Sequence, residues 1–316
     1  MKNFADRLIE IIGKKNTPVC VGLDPSASGG ESIPQKITQS AYKRFGKGLR
    51  GTAEAIYQFN LSIIDITSPY IGIVKPQIAF YEACGYWGIK AYIDTIKYAH
   101  KKGLIVIGDI KRGDVPHTAE AYAEAHLGGP YATDAVTVNP YLGEDSIAPF
   151  IKMAEKFGKG VFVLVKTTNP SSSDFQDLLV GHPPQADNVP LHRYVAEKVN
   201  QWGKPLIGKS RYSSIGAVLS ADAARHLRTI MPKSFFLIPG FGAQGATAKD
   251  VKHCFNPDGY GAIISASRSI IYAWTTSPWK EKYGPKKWEQ AVEAAIIEMK
   301  KAIGWQEKNT PPSPSF

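Results

Sequence analysis

"LIVIGDIKRGDVPHTAEAYAEA", residues 104–125, is the stretch on which the fold turns. It opens with the apolar run Leu104–Ile107. Four charged residues, Asp109, Lys111, Arg112 and Asp114, follow within six positions, and an amphipathic stretch completes it. An apolar run without alternation is how a strand buried on both faces reads, and such strands belong to parallel sheets covered by helices. The stretch is therefore a strand, a charged turn and a helix in sequence, the repeating unit of an α/β protein. The charges form either a salt-bridged surface or a crowded reaction centre, and the rest of the chain has to decide between them.

Seven more short β-rich runs lie on either side of it, giving Pro18–Leu23, Ile71–Lys75, Leu104–Ile110, Ala135–Val138, Val161–Val165, Ile215–Leu219, Phe235–Ile238 and Ala262–Ser265. Amphipathic stretches fill most of the gaps: Ala53–Thr67, Tyr86–Lys101, Thr118–Ala125, Ser146–Phe157, Leu191–Trp202, Ala221–Thr229 and Lys287–Ile303. Eight strands alternating with helices predict a single (β/α)8 TIM barrel, with a doubly wound open sheet as the alternative. Residues 26–50 and 170–213 read as insertions after the first and fifth strands. Residues 1–305 are expected to form the barrel domain. The tail 306–316, ending NTPPSPSF, has the composition of a flexible end.

Composition narrows the function classes. The 316 residues are 43% hydrophobic and 21% charged, which is ordinary for a globular chain. Cys20, Cys84 and Cys254 are odd in number and far apart, so neither a disulfide framework nor a zinc site is expected. No apolar run reaches the roughly 18–20 residues that span a bilayer, and the start MKNFADRLIEIIGKKN reads as an amphipathic helix, which together predict a cytoplasmic protein. The formal charge of +10 is spread along the chain, with mild density at 43–50 and 280–287. Neither run forms a recognisable nucleic-acid module, so a solvated basic surface and an anionic small substrate are expected instead. Of the histidines, His117 lies nearest the charged stretch and reads as a helix-start or surface residue.

Polar residues gather where the strands end: Asp24-Pro25, Lys75-Pro76-Gln77, Asp109-Ile110-Lys111, Asn139-Pro140, Lys166 to Asn169, Pro239 to Gly242, and Ser267-Arg268. In a barrel these ends share one rim, where such enzymes place their chemistry. Asp109 and Lys111, two apart on a strand, point to one side, while Arg112 points to the other. If Lys75 reaches in from the second strand, alternating signs let ionised groups persist in a setting too costly for a lone charge. A carboxylate held beside a substrate carboxylate repels it, and loss of carbon dioxide relieves the repulsion. The carbanion left behind needs a cation and a proton, and Lys111 offers both. That is decarboxylation without a cofactor. A salt-bridged strand end is the plain alternative. A magnesium site is another, and the two ammonium groups oppose it. The glycine-rich loop IPGFGAQGA (238–246) and ASRS (266–269) follow strands seven and eight, where barrels often hold phosphate through backbone N–H groups and an arginine.

Taken together, GLDP (22–25), VKPQIAFYE (74–82), DIKRGDVPHTA (109–119), TNP (168–170), PGFGAQG (239–245) and SRS (267–269) resemble orotidine 5′-phosphate decarboxylase, particularly its longer bacterial subgroup. The resemblance runs in the family's order from the first strand to the eighth. It implies conversion of orotidine 5′-phosphate to UMP and carbon dioxide, the last step of UMP biosynthesis, in a homodimer. Asp24 and Lys75 would hold ribose hydroxyls, with Lys75 also in the charge array. Asp109 would press on the substrate carboxylate and Lys111 would donate the proton. Asp114 and Thr118 would reach in from the neighbouring subunit. Thr168 would lie against the pyrimidine, where the family usually has Ser. Pro239 would line the base pocket, Gln244 would bridge base and phosphate, and Arg268 would clamp the phosphate. Ser267 stands where the family usually has Gly.

Overall fold

The computed structural model describes residues 1–26, 32–181, 188–242 and 247–305. Eight strands run parallel around a closed barrel: β1 (Val19–Leu23), β2 (Ile73–Pro76), β3 (Ile105–Arg112), β4 (Ala135–Val138), β5 (Gly160–Lys166), β6 (Ser213–Leu219), β7 (Ser234–Ile238) and β8 (Ala262–Ala266). Each pairs with the next, and β8 returns to β1 with Val19 opposite Ile264. Every residue of β1, β2, β4, β6, β7 and β8 is buried. Their Val/Ile runs lack alternation because both faces are covered, the inner by side chains across the barrel and the outer by helices. The barrel, not the open sheet, is the architecture.

The longer helices are α1 (Phe4–Lys15), α2 (Gln35–Phe45), α3 (Leu49–Thr67), α4 (Gly85–Lys101), α5 (Pro116–Ala123), α6 (Glu144–Phe157), α7 (Leu191–Gly203), α8 (Ala221–Leu227) and α9 (Trp288–Ile303). α3 shows why they sit where they do. Ile56, Phe59, Asn60, Ile63, Ile64 and Thr67 recur at three- and four-residue spacing and are all buried. Burying each large apolar side chain of that stripe stabilises the fold by about 1.5–3 kcal/mol. Phe59 also enters an aromatic cluster with Tyr272, Trp274 and Trp288 that seats α9.

α1 closes one end of the barrel. Asn3 caps it by accepting from the Ala5 N–H at 2.8 Å. Its side chains meet residues at or just before strand starts: Phe4 packs edge-on to Phe162 of β5, Arg7 reaches Asp134 ahead of β4, and Ile11 lies against Gly72 ahead of β2. The N-terminal ends of the strands are thus plugged, and the C-terminal ends form the open rim.

Several boundaries differ from the sequence-based expectations. β3 runs through Lys111 and Arg112, so three of the four charged residues, all but Asp114, lie within the strand. α5 begins at Pro116, whose missing N–H is not needed in a first turn. A single π-helical turn, Glu124–Gly128, follows it. Residues 26–50 include α2, and α3 starts at Leu49, four positions earlier than expected. Residues 170–213 include a two-residue antiparallel ladder, Leu179–Val180 with Val189–Pro190, before α7. The tail 306–316 and Gln244 lie outside the described residues. Among the described residues no helix is long and apolar enough to cross a membrane.

Candidate active site

The rim is built around one carboxylate. Asp109 of β3 is 6% exposed, and its Oδ2 pairs with Lys75 Nζ of β2 at 2.6 Å. Its Oδ1 takes Lys111 Nζ at 2.7 Å and the Thr137 hydroxyl of β4 at 2.8 Å. Adjacent parallel strands bring these groups together, because β2, β3 and β4 end side by side on the rim. Lys75 is also buried, at 7% exposure, so neither group of this pair relies on water for its charge. Burial alone would raise the Asp109 carboxyl, but the charges of Lys75 and Lys111 and their hydrogen bonds outweigh it and hold the group well below the ordinary carboxylate range. Burial alone would likewise strip Lys75 of its proton. The charges of Asp109 and Asp24 reverse this and leave it a firmer ammonium than a free lysine.

The backbone at this point is unusual. β3 and β4 pair regularly through Gly108 and Val136, then resume at Arg112 and Val138. Residues 109–111 bulge in between, and Lys111 takes φ = 45°, in the left-handed region that a lysine seldom adopts. Such a conformation costs of order 1–3 kcal/mol and persists only where neighbours enforce it. Arg112 faces away from Asp109, toward Glu82 and the Tyr122 ring, as expected from the alternation of a strand.

At the end of β1, Asp24 Oδ1 is buried and has no hydrogen-bond partner among the described residues. Just before it, the Leu23 carbonyl accepts from the Tyr81 hydroxyl, which is held in turn by Asn60 of α3. A buried carboxylate oxygen seldom goes without a donor, which sets Asp24 apart from the other buried polar groups of the rim. Across the barrel seam, the Ser267 hydroxyl donates to the Gly22 carbonyl at 3.2 Å. A Cβ on Gly22 would lie 2.7 Å from Ser267 Cβ, so glycine at 22 makes room for serine at 267.

A family model for the orotidine 5′-phosphate decarboxylase / HUMPS family matches residues 17–276. The chain belongs to that family. It is 42% identical over 286 residues to orotidine 5′-phosphate decarboxylase of Caldicellulosiruptor saccharolyticus, covering 87% of this chain and 91% of that one. The Clostridium novyi member is 40% identical, covering 95% and 98%. The structure of Leishmania donovani OMP decarboxylase superposes with a TM-score of 0.71 at 28% identity, covering 96% of this chain and 97% of that one. The longer bacterial subgroup is consistent with these relatives.

The family's remaining motif positions lie on the same rim. Thr168 is exposed just past β5, Pro239 is half-buried just past β7, and Arg268 is exposed just past β8. Gly240 and Gly242, beside Pro239, both take positive φ, and Ser269 donates to the Phe241 carbonyl, which ties the start of this loop to the segment just past β8. Asp114 and Thr118 are not drawn into the array. Asp114 accepts from the Val115 N–H and makes no ion pair among the described residues, while Thr118 lies on α5 beside a cavity of about 340 Å³ lined also by Arg112, Tyr122 and His126. Among the described residues no three His, Cys, Asp or Glu side chains are grouped to hold a metal ion. His117 is exposed in the first turn of α5. Thr137 was not among the residues expected from sequence. Its one signal was a hydroxyl in the otherwise apolar strand AVTV.

Proposed function

We propose that this chain decarboxylates orotidine 5′-phosphate to UMP and carbon dioxide, without metal or organic cofactor, as the last step of UMP biosynthesis. One observation carries the reading: a buried carboxylate, Asp109, held ionised between two ammonium groups at the rim of a barrel of this family. A substrate carboxylate set against Asp109 meets a group that resists protonation, so the repulsion is not relieved by proton uptake there. Breaking the ring-to-carboxylate bond leaves the electron pair on the ring carbon and releases carbon dioxide. The Lys111 ammonium stabilises that charge and then transfers a proton to the same carbon, forming the C–H bond of UMP. Lys111, its side chain 44% exposed, recovers a proton from water.

Around this centre we assign Lys75 and Asp24 to the ribose hydroxyls, with Lys75 also in the array. The open Oδ1 of Asp24 supports this. Thr168 and Pro239 take the pyrimidine, and Arg268 and Gln244 the phosphate. A homodimer supplies Asp114 and Thr118 to the neighbouring site, which accords with the absence of an ion pair at Asp114 among the described residues. Residues 1–305 form the catalytic domain, and the expected site of action is the cytoplasm.

The test is the ultraviolet assay for loss of orotidine 5′-phosphate, run with and without EDTA. Equal turnover in both is expected. No turnover in either overturns the activity, and turnover abolished by EDTA overturns the metal-free step.

A further inference from the structure

The β3 bulge leaves the backbone N–H of Lys111 out of the regular ladder, because residues 109–111 stand opposite Thr137 alone. Thr137 Oγ1 takes that N–H at 3.0 Å. A threonine hydroxyl has one proton, and with Lys111 N donating to it, that proton goes to its other close partner, Asp109 Oδ1 at 2.8 Å. The side chain is 1% exposed, so no water competes for either bond. One hydroxyl therefore does two jobs. It holds the left-handed backbone from which the Lys111 side chain springs, and it fixes the plane of the carboxylate that Lys111 and Lys75 flank.

From this geometry we infer that Thr137 is a positioning residue for the decarboxylation, acting through Asp109 and Lys111 without touching substrate. The inference rests on the roles proposed above for those two residues. Without the hydroxyl, Asp109 keeps its two lysines but loses the one neutral donor that fixes its plane, and Lys111 loses the acceptor that holds its backbone N–H; small shifts of either relieve the crowding that substrate binding is meant to impose. The effect should fall on the chemical step. Of the groups assigned to ribose, base and phosphate, only Lys75 touches Asp109 among the described residues, and it does so through the other carboxylate oxygen, Oδ2.

Thr137→Val keeps the side-chain volume and deletes the hydroxyl, whereas Thr137→Ser keeps it. Thr137→Val should lower kcat by about 10²-fold while KM moves less than about threefold, because a small misplacement of reacting groups is costly in rate and not in binding. Thr137→Ser should recover kcat to within about fivefold of the parent, since the donor and acceptor return. UMP, which lacks the carboxylate, should bind all variants with similar affinity, and this also reports the folded fraction. If Thr137→Val does not fold, Thr137→Ala against Thr137→Ser makes the same comparison. A kcat for the folded hydroxyl-free variant within about threefold of the parent, or a loss that appears in KM alone, overturns the inference. Lys111→Ala assayed beside them separates the two readings. Full activity there would remove the proposed role of Lys111, whereas an inactive Lys111→Ala with an active Thr137→Val would remove only the role of Thr137.

Discussion

Lys75 and Lys111 both grip Asp109, but they are not equivalent. Lys75 is buried, and removing it would leave Asp109 in an apolar setting with half its compensation gone. Lys111 is partly exposed, and without it Asp109 retains Lys75 and Thr137. Lys111→Ala should therefore stay folded and lose its chemistry. kcat should fall by about 10⁴-fold or more, because proton donation and charge stabilisation go together. A melting temperature near the parent's, together with a surviving rate above about a hundredth, would remove Lys111 as the proton donor. The contact between Asp109 and Lys111 was legible from their two-residue spacing after an apolar run. The bulge that tilts Lys111 was not, since no residue in DIKR announces a left-handed backbone. Thr137 was missed because it completes the array from another strand, and a single sequence does not display partners across a sheet.

Among the elements, β4 carries a polar group at each end with opposite duties. Thr137 serves the rim. Asp134, just before the strand, serves the plugged end, where it takes Arg7 of α1 at 2.7 Å, His100 of α4 at 2.9 Å and the Val106 N–H of β3 at 2.9 Å. Burial alone would raise the Asp134 carboxyl, but the hydrogen bond from His100, the charge of Arg7 and the backbone donor hold it well below the ordinary range. A carboxyl depressed in the folded state stabilises fully above its unfolded value, near pH 4, and that contribution is lost as pH falls further. Asp134→Asn should lower the melting temperature at pH 7 by about 5–10 °C, and the gap should narrow below about pH 4. A gap that stays constant down to pH 3 would show that the charge of Asp134 contributes nothing. The strands around it could be read from sequence because unbroken Val/Ile runs have few other homes. The two-residue ladder at 179–180 and 189–190 could not, because it is too short to show a period.

For the whole molecule, the question is whether one chain holds a complete site. Asp114 makes no ion pair among the described residues, and the proposed homodimer gives it a place in the neighbouring array. Mixing Asp114→Asn with Lys111→Ala subunits should restore about a quarter of the parent activity at full exchange, since half the dimers are hybrids and each holds one intact site. No recovery despite demonstrated exchange would count against a shared site. The closure of the barrel has a consequence of another kind. The β1–β8 seam joins segments from near opposite ends of the described chain, whereas β2, β3 and β4 are sequential neighbours. Contacts distant in sequence form late during folding, so the reaction centre should assemble before the seam that carries Asp24 and Arg268. A nucleotide that spans both would act as a clasp on the last joint to close, slowing unfolding as well as occupying the site.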